Sequence, residues 1–168
     1  FDESLHLART MMSIGRSFGR RIAAIISDMD QPLGFAVGNS LELIEACETL
    51  KGRGPADFTQ LVVSLAAMGL SMKDGTSLEE AEKTAADVLA SGRAFSHLED
   101  FVAACGGDTA SLSDYAKLPM SGCVLEIHTR RKGFVAEIEA ETVGHAAMLL
   151  GAGRAAKDDV IDPGAGVV

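Results

Sequence analysis

Apolar residues recur at helical spacing along most of the chain, which predicts a series of amphipathic helices. The first covers residues 2–17, where Asp2 and Glu3 suit the positive end of a helix and Gly15 or Gly19 ends the run. Further helices are predicted at about 39–50, 57–70, 77–89 and 94–104, and from about 143 into the glycines at 151–153.

Local signals mark several of these helix ends. Ser77 and Glu80 have the spacing of a capping box, and Gly92 is placed to end the helix that they open. Asn39 and Asp57 are each predicted to cap the helix that follows them.

Three short runs have the pattern of β-strands instead. The unbroken apolar run at 22–26 is typical of a parallel strand that is buried on both faces. Residues 123–129 and 134–140 alternate between apolar and polar positions around the turn sequence RRKG, which predicts a hairpin. Since one strand cannot bury the faces of so many helices, we expect an α/β fold whose partner strands lie outside this sequence.

A polar, turn-rich stretch at 108–122 is a plausible boundary. We therefore predict two domains: residues 1–118, part of a large α/β domain, and residues 119–168, the truncated start of a smaller C-terminal α/β subdomain. A chain that opens with Phe-Asp-Glu and lacks an initial Met is also expected to be cut from something longer.

Charge and composition narrow the function classes. A formal charge of −9 disfavours nucleic acid and anionic membrane surfaces as partners, because both are negative as well. No apolar run reaches the roughly 18 residues of a membrane span. The three cysteines form no CxxC pattern and predict neither a disulfide framework nor a zinc site, which indicates a reducing cytoplasm.

The stretch SDMDQPLGFAVGNSLELIEA at 27–46 is the most suggestive candidate for a binding site. It joins the predicted strand to a helix, where phosphates often bind, but it contains no Lys or Arg, and Asp28 and Asp30 would repel an anion. Loop carbonyls with a carboxylate from Glu42 or Glu45 favour a cation instead. The alternative is structural: a helix cap at Asn39 and aspartates that stabilise a turn.

A second glycine motif, Gly151-Ala152-Gly153-Arg154, has the look of a phosphate loop. It follows a helix, however, and the C-terminal end of a helix dipole does not attract anions. A glycine cap at the end of the helix explains this motif better.

The 27–46 stretch resembles the strand, loop and helix of the thymidine and pyrimidine-nucleoside phosphorylases. The resemblance extends along the chain through LKGRGPADFTQL, FVAACGGD, KLPMSG, KGFVAEI, AAMLLGAGRAAKDDVID and PGAGVV, in family order. It implies the helix-rich portion of a nucleoside phosphorylase α/β domain. It also implies a parent enzyme that splits pyrimidine nucleosides with phosphate into free base and pentose 1-phosphate, as a cytoplasmic homodimer.

The resemblance further implies a structural potassium ion, held by main-chain oxygens of Leu33 and Ala36 and by the carboxylate of Glu45. Asp30, where the family more often has Ser or Asn, adds negative charge nearby. The family's K-x-S-T-G-G phosphate loop and its substrate-binding Arg and Lys do not occur here, so no catalytic residue is assigned in this chain and the fragment alone is expected to be inactive. The rival interpretation is a non-catalytic α/β binding or assembly module that kept the scaffold.

Overall fold

The computed structural model describes residues 1–129 and 131–168. Helices dominate this part of the chain, and all of the predicted helices are present. The α-helices are α1 Asp2–Ser17, α2 Asn39–Leu50, α3 Ala56–Asp74, α4 Leu78–Ala90, α5 Arg93–Ala104 and α6 Ala140–Ala147. Two 3₁₀ turns, Thr109–Leu112 and Tyr115–Lys117, follow α5, and a π turn, Met148–Ala152, follows α6.

The predicted start and end of α4 are confirmed. The Ser77 N–H donates to Glu80 Oε2 and the Glu80 N–H donates to Ser77 Oγ, each over 3.2 Å, so two free amides of the first turn are satisfied reciprocally. Gly92 takes the left-handed conformation at φ 75° and separates α4 from α5.

The caps predicted for α2 and α3 are wrong by one position or more. Gly38 is the N-cap of α2, with φ 144°, and Asn39 is already the first helical residue. The carboxylate of Glu42 accepts the N–H of this cap residue over 3.0 Å, and no side chain caps the first turn of α2. Asp57 is the second residue of α3, and its side chain is used elsewhere, as described below.

The strands of the α/β prediction are not formed. Across residues 1–129 and 131–168 there is no β-strand, and the predicted strands at 22–26, 123–129 and 134–140 have irregular backbone; Arg130 of the RRKG turn lies outside the described residues. A strand obtains its hydrogen bonds from a neighbouring strand, and none adjoins these runs. Their apolar side chains are left exposed, with Ile127 90% and Phe134 103% accessible.

Contacts divide the chain into two compact units. The first contains Phe1–Asp28 and Gln60–Val88, and the second contains Met29–Thr59 and Leu89–Val168. The predicted domain boundary at 118/119 stays a prediction. In the first unit, apolar side chains of α1 lie beside the 22–27 run around a shallow cavity.

The second unit is built around α2. Ser40, Cys47 and Thr49 of this helix are buried, and α2 packs against α5. The thiol of Cys47 is free, as are those of Cys105 and Cys123, so no disulfide is formed. No helix in the described ranges combines the length and the apolarity needed to cross a bilayer.

The 163–168 segment crosses the start of α2 and fixes it. Val37 and Val167 form an isolated antiparallel bridge in which each N–H donates to the other residue's carbonyl over 2.9 Å. The Ser40 N–H donates to Pro163 O over 3.0 Å, which satisfies one of the free amides at the helix start. The crossing is so close that a methyl group on Gly166 would collide with Val37 O and would lie 2.7 Å from Leu41 Cδ1.

Because the two backbones cross so closely, we expect Gly166→Ala to destabilise the second unit. Overpacking of this kind costs about 1–3 kcal/mol, because the obstructing Val37 carbonyl is held by its bridge. Urea unfolding followed by circular dichroism measures the loss.

The matched control for Gly166→Ala is Gly144→Ala in α6, where an added methyl group meets nothing within 4 Å. Replacing a helical glycine there should stabilise the protein by about 0.5–1 kcal/mol. Equal unfolding midpoints for the Gly166→Ala variant and the unmodified protein would show that the crossing is not tight.

Candidate functional site

The 31–38 loop, QPLGFAVG, is the centre of the candidate site, and it leads directly into α2. Gly34 has φ 72°, a conformation that residues with a side chain rarely adopt, so the loop reverses direction there. Leu33 and Phe35 on either side are exposed. The loop backbone is therefore held by contacts other than burial of its own side chains.

Glu45 reaches back from α2 to the loop, as predicted. Its Oε1 accepts the Phe35 N–H over 2.8 Å. The carboxylate also lies so close to Gly34 that a methyl group at this position would collide with it. The structure thus brings Glu45 to the same short loop that carries the carbonyls of Leu33 and Ala36.

A second carboxylate holds the same loop, and the sequence interpretation missed it. Asp57 Oδ2, from the first turn of α3, accepts the Gly34 N–H over 3.2 Å. This hydrogen bond is the main reason that the pKa of Asp57 lies below its ordinary value. The only signal in the sequence is an acid near the start of a helix, a pattern that predicts a cap.

The donor atoms that this loop offers are oxygens, which are the ligands that hard cations prefer. In the described part of the chain, neither Leu33 O nor Ala36 O accepts a backbone hydrogen bond outside regular helices. Two carboxylates, Glu45 and Asp57, make the surroundings negative. No group of three or more His, Cys, Asp or Glu side chains with metal-ligand geometry occurs among the described residues, so an ion at this loop would depend mainly on main-chain oxygens.

An ion-pair cluster surrounds the end of α2. The guanidinium of Arg53 binds the Glu48 carboxylate in two places, with Nε to Oε2 at 2.6 Å and Nη2 to Oε1 at 2.9 Å. The Tyr115 hydroxyl donates to Glu48 Oε1 over 2.6 Å. These hydrogen bonds, first from Arg53 and then from Tyr115, lower the pKa of Glu48 to about 2.

Lys51 connects the cluster to the turns after α5. Its Nζ donates to Leu112 O over 2.7 Å and to the Tyr115 hydroxyl over 3.0 Å, and lies 4.3 Å from the centre of the Phe95 ring. Burial and the adjacent Glu48 charge raise the pKa of Tyr115, so the phenol stays protonated and remains a donor. The cluster is fully paired and serves to hold α2 in place.

A cavity of ≈310 Å³ is lined by residues of both the loop and the cluster. Its lining is mostly apolar and includes Val168, and its polar side chains are those of Glu45, Glu48 and Arg53. Both carboxylates are already engaged, with Phe35 and Arg53 respectively.

The glycine motif at 151–153 is not a phosphate loop. Gly151 has φ 103° at the end of the helical segment, as the cap interpretation predicted. The Ala155 and Ala156 amides that follow both donate to Asp159 Oδ2, over 3.0 and 2.8 Å. The chain's own carboxylate therefore occupies the position that an anion would take.

Comparison with known proteins shows which sequences this chain is similar to. Residues 134–168 match the family model described as the pyrimidine nucleoside phosphorylase C-terminal domain. The chain is 43% identical to the pyrimidine-nucleoside phosphorylase of Bacillus subtilis, 44% to that of Staphylococcus epidermidis and 45% to that of Geobacillus stearothermophilus, in each case over 99% of its length. The chain is therefore similar in sequence to the pyrimidine-nucleoside phosphorylases along nearly its whole length.

The predicted family resemblance is thereby confirmed. The chain spans about 39% of the length of these pyrimidine-nucleoside phosphorylases. The similarity covers both the 31–38 loop and the 163–168 segment that crosses it, so the two parts of the candidate site lie within the aligned region.

The low pKa of Glu48 gives a pH prediction. Because this pKa lies at about 2 in the folded protein, below its ordinary value of 4.5, the Glu48 contacts stabilise the protein above about pH 4.5 and are lost as the pH falls towards 2. Glu48→Gln should therefore lower the free energy of unfolding by about 1–2 kcal/mol at pH 7, and this difference should shrink between pH 4.5 and 2. Denaturant unfolding at a series of pH values measures it.

The exposed Glu137 provides the control for Glu48→Gln, since Glu137→Gln should change stability little at any of these pH values. A difference between Glu48→Gln and the unmodified protein that stays constant down to pH 2 would contradict the role assigned to the charge.

Proposed function

We propose that this chain is part of a pyrimidine-nucleoside phosphorylase, an enzyme in which phosphate attacks the anomeric carbon of a pyrimidine nucleoside. The products are the free base and a pentose 1-phosphate. The observation that carries the proposal is identity of 43–45% over 99% of the chain to three proteins with this name. The match of residues 134–168 to the family's C-terminal domain agrees with it.

The substrates that we propose are a pyrimidine nucleoside and inorganic phosphate. As the glycosidic bond breaks, negative charge builds on the departing base while phosphate brings its own charge, so the reaction needs cationic groups at both ends. The 168 residues contain no K-x-S-T-G-G motif, and their net charge is −9. We therefore propose that other parts of the enzyme supply these cations and that this polypeptide alone does not catalyse the reaction.

We further propose that the 31–38 loop holds a structural potassium ion. Main-chain oxygens of Leu33 and Ala36 and the carboxylate of Glu45 would be its ligands. A bound monovalent cation supplies positive charge and rigidity here, and no change of oxidation state. The support is the position of the Glu45 carboxylate against the loop, 2.8 Å from the Phe35 nitrogen.

The same proposal includes an oligomeric state and a cellular compartment. By resemblance to the family, the enzyme is a homodimer in the cytoplasm. Three free thiols, two of them exposed, are compatible with a reducing compartment.

The proposal predicts which polypeptides turn over uridine and thymidine. The full-length protein that contains this chain should release free base only when inorganic phosphate is present, and the 168-residue polypeptide should release none. Both are assayed by the absorbance change that accompanies base release, in preparations free of host phosphorylase. Omission of phosphate is the internal control.

Turnover by the 168-residue polypeptide would disprove the assignment of the catalytic cations to other parts of the enzyme. A full-length protein that folds but never releases base would instead favour the non-catalytic binding or assembly module.

A further inference from the structure

We propose that Asp57 is a positioning residue for the cation site, holding the peptide unit that carries the Leu33 carbonyl. The inference rests on the proposed potassium site and adds a residue that is not among its ligands. Asp57 belongs to the first turn of α3, whereas the ligand Glu45 belongs to α2. The loop between Leu33 and Ala36 is thus held from two different helices.

Peptide geometry carries the inference. The Leu33 carbonyl and the Gly34 N–H belong to one planar peptide unit, and in a trans peptide these two groups point in opposite directions. No cis peptide bond occurs in the described ranges. Since the Gly34 N–H donates to Asp57 Oδ2, Asp57 fixes the plane of this peptide and turns Leu33 O to its other side.

The second proposed carbonyl ligand, Ala36 O, is also oriented through the N–H group of its own peptide unit. Ala36 O shares its peptide unit with the Val37 N–H, which donates to Val167 O over 2.9 Å. Both carbonyls assigned to the ion are therefore held through the N–H group on the opposite edge of their peptide. Between them, the Phe35 N–H donates to Glu45, the one side-chain ligand.

The Leu33 peptide needs such an anchor more than an ordinary peptide does. Gly34 has φ 72° and no side chain, so rotation of the adjoining peptide plane meets little steric resistance. Leu33 is 44% exposed and offers little packing to hold the turn. The charge of Asp57 also complements a cation at the loop, but the hydrogen bond gives the carbonyl its direction.

The test measures potassium binding to the full-length protein without relying on catalysis. The melting temperature is recorded as KCl replaces tetramethylammonium chloride at constant ionic strength, and the rise gives an apparent affinity for K⁺. We expect Asp57→Ala to weaken this affinity roughly 10-fold, the lower end of the range for residues that support metal ligands. Asp57→Asn keeps an oxygen that can accept the Gly34 N–H and should lose much less.

The control variant is Asp100→Asn on α5, which removes an exposed carboxylate of the same second unit and should leave the affinity unchanged. Loss of a purely structural contact at the start of α3 would lower the melting temperature equally in both salts. Loss of a positioning role would instead reduce the difference in melting temperature between the two salts.

The outcomes separate this inference from the proposed site. If the unmodified protein shows no specific rise with K⁺, the potassium site is wrong, and the role of Asp57 is wrong with it. If the unmodified protein binds K⁺ and Asp57→Ala binds it equally well, the site stands and the positioning role is overturned. Equal losses for Asp57→Ala and Asp57→Asn would also overturn it, because they would show that charge matters and the hydrogen bond does not.

Discussion

The second unit depends on the close backbone crossing between the 31–38 loop and the 163–168 segment. A glycine-rich loop without buried side chains of its own has no fixed shape, since the chain entropy of each residue opposes it by about 1–2 kcal/mol. Here the Val37–Val167 bridge and the bond from Ser40 to Pro163 O provide the missing constraint. Gly38 and Gly166 allow the two backbones to approach closely enough for these bonds to form.

Carboxylate side chains add further hydrogen bonds to the loop that the backbone crossing holds. Glu45 and Asp57 each accept one amide of the turn, while Glu42 accepts the Gly38 N–H at the start of α2. Further along the helix, Glu48 is paired with Arg53 and Tyr115 and holds α2 against the region after α5. Acidic side chains thus form most of the polar framework around this loop, which suits a cation there and disfavours an anion.

The same charge distribution supports the proposal that other parts of a phosphorylase supply the catalytic cations. A site for phosphate and for a departing pyrimidine needs concentrated positive charge. In this chain Lys51 and Arg53 are both committed to the Glu48 cluster. The chain provides a scaffold and a candidate cation loop, and the phosphorolysis chemistry belongs to the complete enzyme that we propose.

The sequence by itself determined the helices, because their signals are local: periodic apolar positions, the Ser77–Glu80 capping box and the glycine at 92. It also predicted the 31–38 loop and Glu45 as a candidate site, through motifs that resemble a known family. It could not determine whether the runs at 22–26, 123–129 and 134–140 become strands, since a strand needs a partner that local pattern does not supply.

Only the tertiary structure showed the contact of Asp57: the sequence predicts a helix cap, whereas the carboxylate accepts an amide 23 positions earlier in the chain. It likewise decided that Gly166 lies against Val37, and that Tyr115 completes the Glu48 cluster from 67 positions away. These contacts join residues that are distant along the chain. No periodicity or spacing in the sequence encodes them, because they arise only when the helices have packed.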